Sequence, residues 1–183
     1  MRTEEREFRI ERAVAEDYQV FADIIGTAWQ AMDHKEWFMA DDEAYTYRML
    51  TTGRGTGYKA IDQKTGAVAG VFMAVAPGLD ESNMGYDIGL GEEELPLVAH
   101  MDSVAVLPEY RGHGLQRRLM EAAEADLGAA GFRYLMCTVH PDNCYSRSNV
   151  VRQGYQAMTV KEKYGGHVRE IFLKRAEPSI DKA

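Results

Sequence analysis

Met101-Asp-Ser-Val-Ala-Val-Leu-Pro-Glu-Tyr-Arg-Gly-His-Gly-Leu-Gln116 decides how this chain is read, because an apolar strand runs through a proline into a glycine loop and on into a helix. Gly112 and Gly114 permit positive φ or close approach to a ligand. A helix starting near Leu115 exposes several N–H groups that have no intrahelical acceptor, backed by the positive end of its dipole. That arrangement suits a pyrophosphate. Arg111 and Arg117 flank the turn and offer charge-assisted hydrogen bonds to phosphate oxygens.

Spacing separates this loop from other phosphate loops. A mononucleotide loop needs Gly-x-x-x-x-Gly-Lys-Ser/Thr, and no such run occurs. A dinucleotide fingerprint needs Gly-x-Gly-x-x-Gly, but Arg117 stands where its third glycine belongs. The bland alternative is an ordinary strand-to-helix turn.

Going outward, the chain has 183 residues, 45% of them apolar and 27% charged. That length fits one domain over 1–183, and a globule of this size buries roughly 70% of its unfolded surface. The ends, 1–7 and 176–183, are expected to fray. No apolar run has membrane-span length, and the N-terminus lacks the apolar core of a signal peptide, so the expectation is a cytoplasmic protein with no membrane partner. Cys137 and Cys144 have no metal-binding spacing and are expected as reduced thiols. A net charge of −8 argues against nucleic acid and leaves cationic or small neutral substrates open.

Along the chain, Phe8 to Val14 alternate as a strand. A helix follows, with Val20, Phe21, Ile24, Ile25, Ala28 and Trp29 on one face, and a second helix starts at Asp41 or Asp42. Trp29, Trp37, Phe38, Tyr45 and Tyr47 can line an acceptor pocket or simply pack in the core. Thr51 to Gly57 reads as a flexible glycine turn. Strands from Tyr58 to Asp62 and Ala67 to Val75 form a hairpin. The segment from Pro77 to Pro96, acidic and without Lys or Arg, reads either as a lid attracting an amine or as a solvated loop. A strand from Leu97 to Leu107, a helix from Leu115 to Ala130 and a strand from Phe132 to Val139 come next. The chain then has a helix capped by Asp142 or Asn143 and a closing hairpin around Tyr-Gly-Gly-His167. This order predicts an α/β fold with a single mixed central sheet flanked by helices.

Pro-Glu-Tyr-Arg-Gly-His-Gly-Leu-Gln116 resembles the acetyl-CoA signature Arg/Gln-x-x-Gly-x-Gly/Ala of the GNAT superfamily of N-acetyltransferases; Arg111 and Gly114 match it and Gln116 departs from it. A second segment, Val139-His-Pro-Asp-Asn143 through Gln153-Gly-Tyr155, is similar to that family's asparagine followed eleven residues later by Gly-Phe. The resemblance implies that acetyl-CoA, as co-substrate, lies between two splayed parallel strands. It puts the pantetheine arm along Val104, Ala105 and Val106, and the pyrophosphate on Gly112, His113, Gly114, Leu115, Gln116 and Arg117 beside Arg111. Asn143 would contact the CoA arm, with no metal involved.

The chemistry so implied is attack by a primary amine of a small molecule or protein on the thioester, with a backbone N–H stabilising the oxyanion. An alkyl ammonium with a pKa of about 10.4 must first lose a proton. Asp102, placed on one strand face with Val104 and His100, is the leading base, and His140 the second. Where many relatives carry a tyrosine to protonate the thiolate, this chain has Val150, so Tyr145, water or unaided departure of the thiolate remains for that role. A non-catalytic acyl-CoA-binding sensor is the alternative function. The partners expected are an amine acceptor and, in one arrangement, a second copy of the chain.

Overall fold

The computed structural model describes residues 6–177. The expected frayed ends lie outside that range except for residues 6, 7, 176 and 177. The elements are β1 (Phe8–Arg12), α1 (Tyr18–Gln30), α2 (Glu43–Thr52), β2 (Gly55–Asp62), β3 (Val68–Val75) and β4 (Val98–Val106), then α3 (Leu115–Ala129), β5 (Tyr134–Val139), α4 (Cys144–Arg152), β6 (Gln156–Lys163) and β7 (His167–Arg175). The strands form one mixed seven-stranded sheet in the order β1-β2-β3-β4-β5-β7-β6, as expected from the chain order. Only β4 and β5 run parallel.

The two faces of the sheet are covered differently. α3 buries Leu115, Leu119, Met120, Ala123 and Leu127 against Phe72, Ala74, Ala99, Met101, Leu135 and Phe172. On the opposite face α1 and α2 bury Phe21, Ile24, Ile25, Ala28 and Met49 against Val71, Met73, Val75 and Ala105. These helical residues recur at three and four residue steps, which is what gives each helix one apolar stripe to bury.

α2 runs to Thr52 and β2 begins at Gly55, so only Gly53 and Arg54 of the stretch expected as a flexible turn lie outside helix and strand. The reason is close packing: a Cβ on Gly57 would come within 2.9 Å of both Ala13 and Phe21. β1 ends two residues early, because the Val14 N–H turns to the Asp17 carboxylate at 2.8 Å and leads the chain into α1.

The acidic segment between β3 and β4 covers the sheet where α1 and α2 do not reach. Its Met84 is buried against Val98, Tyr134, Met136, Ile171 and Leu173. Asn83, fully buried, donates to the carbonyls of Gly78 and Leu95 and accepts from the Gly85 N–H. Three of the acids are engaged: Glu94 accepts from the Tyr134 hydroxyl at 2.6 Å, Asp87 pairs with Lys163 near the β6–β7 turn, and Asp80 accepts from the Ser82 N–H at 2.9 Å. Buried side chains hold the segment down on the sheet.

β4 and β5 pair only at Val98–Tyr134, Ala99–Leu135 and His100–Met136, although both strands continue beyond that point. Past His100 they splay. A β-bulge at Asp102 accompanies the change, since Ala74 faces Met101 while its neighbour Met73 faces Ser103. Such a bulge re-aims the side chains beyond it.

Candidate active site

The cleft opened by the splay has a volume of about 970 Å³. One end is the loop between β4 and α3, the other is Asp102, and the walls come from β5, α4 and the connection after α1.

At the loop end Gly112 has φ 85° and Gly114 has φ 67°, backbone that side chains with a Cβ rarely adopt. Gly114 precedes α3, and its carbonyl accepts the Arg118 N–H at 3.1 Å as the first helical bond. Among the described residues, no acceptor takes the backbone N–H of Gly112, His113, Gly114, Leu115, Gln116 or Arg117. Six consecutive donors at a helix N-terminus make a nest for an anion. Arg111, Gln116 and Arg117 line the same end. The His113 ring, by contrast, packs on Phe8 at 5.3 Å, so this residue offers the cleft its backbone and not its side chain.

Along the cleft, β4 supplies main-chain groups. The Leu107 N–H bonds the Ala69 carbonyl at 2.9 Å, and strand alternation from there turns the Val104 and Val106 N–H groups toward the gap left by β5. Opposite them, Asn143 caps α4 by accepting the Ser146 N–H at 3.0 Å, which leaves its amide nitrogen free to donate. Val150 is buried in the wall. Tyr145, in the first turn of α4, lines the cleft and is 77% exposed.

At the far end Asp102 is half-buried, and its Oδ2 accepts from the Tyr45 hydroxyl at 3.0 Å. Burial, then the nearby Asp41 carboxylate, push Asp102 up to about 7, while the Tyr45 hydrogen bond pulls the other way. Asp41 is likewise pushed up, to about 6, by burial first. Neither carboxylate forms an ion pair with Lys or Arg among the described residues. A carboxylate with raised proton affinity in a cleft is matched to taking a proton near neutral pH.

The bulge breaks the strand parity that grouped Asp102 with Val104, since Val104 packs on the α3 face while Asp102 meets Tyr45 of α2 on the other. His100 is buried under the acidic segment, where its Nε2 accepts the Met84 N–H at 3.0 Å. Burial lowers it to about 4, so it is a neutral acceptor. His140 stands at the end of β5, 6.1 Å from the Trp37 ring. Its Nδ1 accepts the Asp142 N–H at 3.2 Å, leaving Nε2 as the nitrogen that carries the proton. Cys137 lines the cleft, and burial pushes its thiol up to about 12, which favours the neutral thiol over the thiolate.

Of the aromatic candidates, Trp37 and Phe38 line the cleft and Tyr45 meets Asp102. Tyr47 packs on Tyr18 outside it, and Trp29 lies under Lys35. Sequence reasoning places no catalytic weight on Asp41 and misses Tyr164 altogether. Tyr164 has φ 53°, and its hydroxyl lies 3.1 Å from the Thr138 hydroxyl in the cleft wall. The signal in the sequence is a lone tyrosine before Gly-Gly in a turn, which says nothing about where its ring goes.

The family model described as the acetyltransferase (GNAT) family matches residues 14–155. Among solved structures, the chain is similar to the Arabidopsis thaliana NAA60 in complex with acetyl-CoA, with a TM-score of 0.73, 12% identity, and coverage of 92% of this chain and 98% of that one. It is similar to a phosphinothricin acetyltransferase from Sinorhizobium meliloti in complex with AcCoA, at 0.67 and 19%, covering 95% and 94%. The ribosomal-protein-S18-alanine N-acetyltransferase from Escherichia coli gives 0.67 and 16%, covering 97% and 99%. At these identities the likeness is one of fold. No match is found among curated proteins.

Proposed function

Because the chain belongs to the GNAT acetyltransferase family, we propose that it transfers the acetyl group of acetyl-CoA directly to a primary amine of a small molecule or protein. The observation that carries this reading is the row of six unpaired main-chain donors at one end of a cleft whose other end is an ionisable carboxylate with raised proton affinity.

The residues fit the co-substrate. Gly112 to Arg117, with Arg111, would hold its diphosphate through main-chain N–H groups and guanidinium charge. Val104, Ala105 and Val106 would run beside its pantetheine arm, and the Asn143 amide would donate to the same arm. Acetyl-CoA supplies an activated thioester, so no nucleophilic side chain is required.

Asp102 takes one proton from the incoming ammonium, which frees the nitrogen lone pair to form the new bond to the acetyl carbon. The Val104 N–H donates to the oxygen as negative charge develops there, a contribution that preorganised donors make strongly. The carbon–sulfur bond then breaks with its electron pair going to sulfur, the amide nitrogen loses its second surplus proton, and Tyr145 or water supplies one proton to the thiolate. His140, through Nδ1 on release of the Asp142 N–H, is the second proton acceptor.

Two readouts test the proposal. Calorimetry should give tight binding of CoA and much weaker binding of pantetheine, which lacks the diphosphate. Release of free thiol from acetyl-CoA over a panel of primary amines should exceed the amine-free rate for at least one of them. Binding of CoA with no thiol release for any amine would turn the reading to an acyl-CoA sensor.

A further inference from the structure

The hydroxyl of Tyr45 reaches Asp102 across 57 positions of sequence, from the first turn of α2 to the bulge in β4. α2 is fixed at that point by its cap: the Asp42 carboxylate accepts the Tyr45 N–H at 2.7 Å, and the Thr46 hydroxyl donates to the Asp42 carbonyl at 3.0 Å. The same turn puts Asp41 close enough for its charge to act on Asp102. Asp102 has a second oxygen, Oδ1, which has no hydrogen-bond partner among the described residues and is not sealed from solvent. One oxygen is therefore tied and the other is without a partner, on a residue that lines the cleft.

We propose that Tyr45 is a positioning residue: it holds one oxygen of the Asp102 carboxylate on α2 so that the other is presented to the acceptor amine in the cleft. This rests on the reading of Asp102 as the proton acceptor. The groups that face Asp102 are Tyr45 on α2, Asp41 before it, and Tyr164 from the β6–β7 turn, whose phenol also feels Arg169. Ser103, the next residue, favours the charged form of Asp41 and so opposes the effect of burial there.

Tyr45 and Asp41 act on Asp102 with opposite sign. A phenol that donates to the carboxylate favours its charged form, whereas a like charge disfavours it. Burial and the two carboxylates keep the Tyr45 phenol protonated well above the usual tyrosine range, so it remains a donor throughout the working pH. The two influences set the pH at which the base becomes available, and the hydrogen bond also sets its direction.

The test is a carboxyl ¹³C NMR titration of Asp102 in the full chain, with the resonance assigned by its loss in Asp102→Asn. Tyr45→Phe keeps the ring but removes the donor, and the midpoint should rise by half a unit or more. Asp41→Asn should lower it. Site-specific replacement of Tyr45 by 3-fluorotyrosine, a stronger donor of nearly the same shape, should also lower it and does not depend on the Phe variant folding. An Asp102 midpoint unmoved by both Tyr45 replacements overturns the proposal. With acetyl-CoA and the fastest amine of the panel, the acid limb of kcat/KM should follow the same shifts, with kcat reduced about tenfold in Tyr45→Phe and KM for acetyl-CoA unchanged. Midpoints that move as stated while the kinetic limb does not follow would support the hold on Asp102 and overturn its reading as the base.

Discussion

His100 and Met136 form the last ladder pair between β4 and β5, and the cleft begins where that pairing stops. The parallel pair is central to the sheet, so its parting opens a slot through the middle of the protein and not at its edge. Main-chain groups of β4 beyond His100 that face β5 lose their strand partner and become available to a ligand. This is the general way an α/β sheet turns a topological feature into a binding crevice.

The loop at one end of that slot should tolerate no Cβ. Gly112→Ala and Gly114→Ala each force a residue into left-handed backbone, at a cost of about 1 kcal/mol. A Cβ at either position would meet nothing within 4 Å, so the strain lies in the backbone alone. Isothermal titration should show CoA binding weakened about tenfold or more in the double variant, with a lowered Tm.

Asp102→Asn should trade activity for stability. The folded protein holds this carboxyl at about 7, against 3.8 when unperturbed. Below pH 4 the group is neutral in both states and has no effect. As the pH rises toward 7 the unfolded chain gains the charge more readily, so stability drains away over that window. At pH 8 the amide variant should be more stable by about 2 kcal/mol or more, and equal to the parent at pH 4. Denaturant titrations at the two pH values check this, and thiol release should fall about a hundredfold or more.

Tyr145→Phe separates the ways in which the thiolate can leave. If the phenol delivers the proton, kcat should fall about tenfold while KM for acetyl-CoA stays constant, since its ring still lines the cleft. An unchanged kcat from pH 6 to 9 would assign that proton to water.

His100 should make the fold acid-sensitive. Its folded value is lowered to about 4 from 6.5, so its contribution is complete above pH 6.5 and lost as the pH falls toward 4. The loss is about 3 kcal/mol at most. His100→Gln keeps an acceptor for the Met84 N–H and should flatten the decline, as seen by thermal unfolding between pH 7 and pH 4.

Much of the architecture is legible from periodicity and punctuation. The stripe of α1, the Asp42 cap of α2 and the Leu115 start of α3 all follow from rules that act within a few residues. The glycine loop before α3 is legible for the same reason: proline, glycine spacing and the following helix lie in one short run. Asp102 also stands out in the sequence, but for a parity argument that the bulge invalidates, because no residue in the run from His100 to Val104 announces an extra position. Tyr45 and Tyr164 reach the site from opposite ends of the chain through tertiary packing, which no local pattern encodes. The acidic segment misleads in its own way. Its charges suggest an open loop, while Asn83, a single polar residue, makes the hydrogen bonds that close it.

The Asp87–Lys163 pair joins that segment to the hairpin carrying Tyr164. At the tip of that hairpin the Tyr164 hydroxyl meets Thr138 of the cleft wall, and neither stretch shares a residue with the loop before α3. On the function proposed above, substitutions in either stretch would alter which amine is admitted while the grip on the common donor molecule stays as it was, so that one scaffold could diversify its clientele without relearning how to hold its reagent.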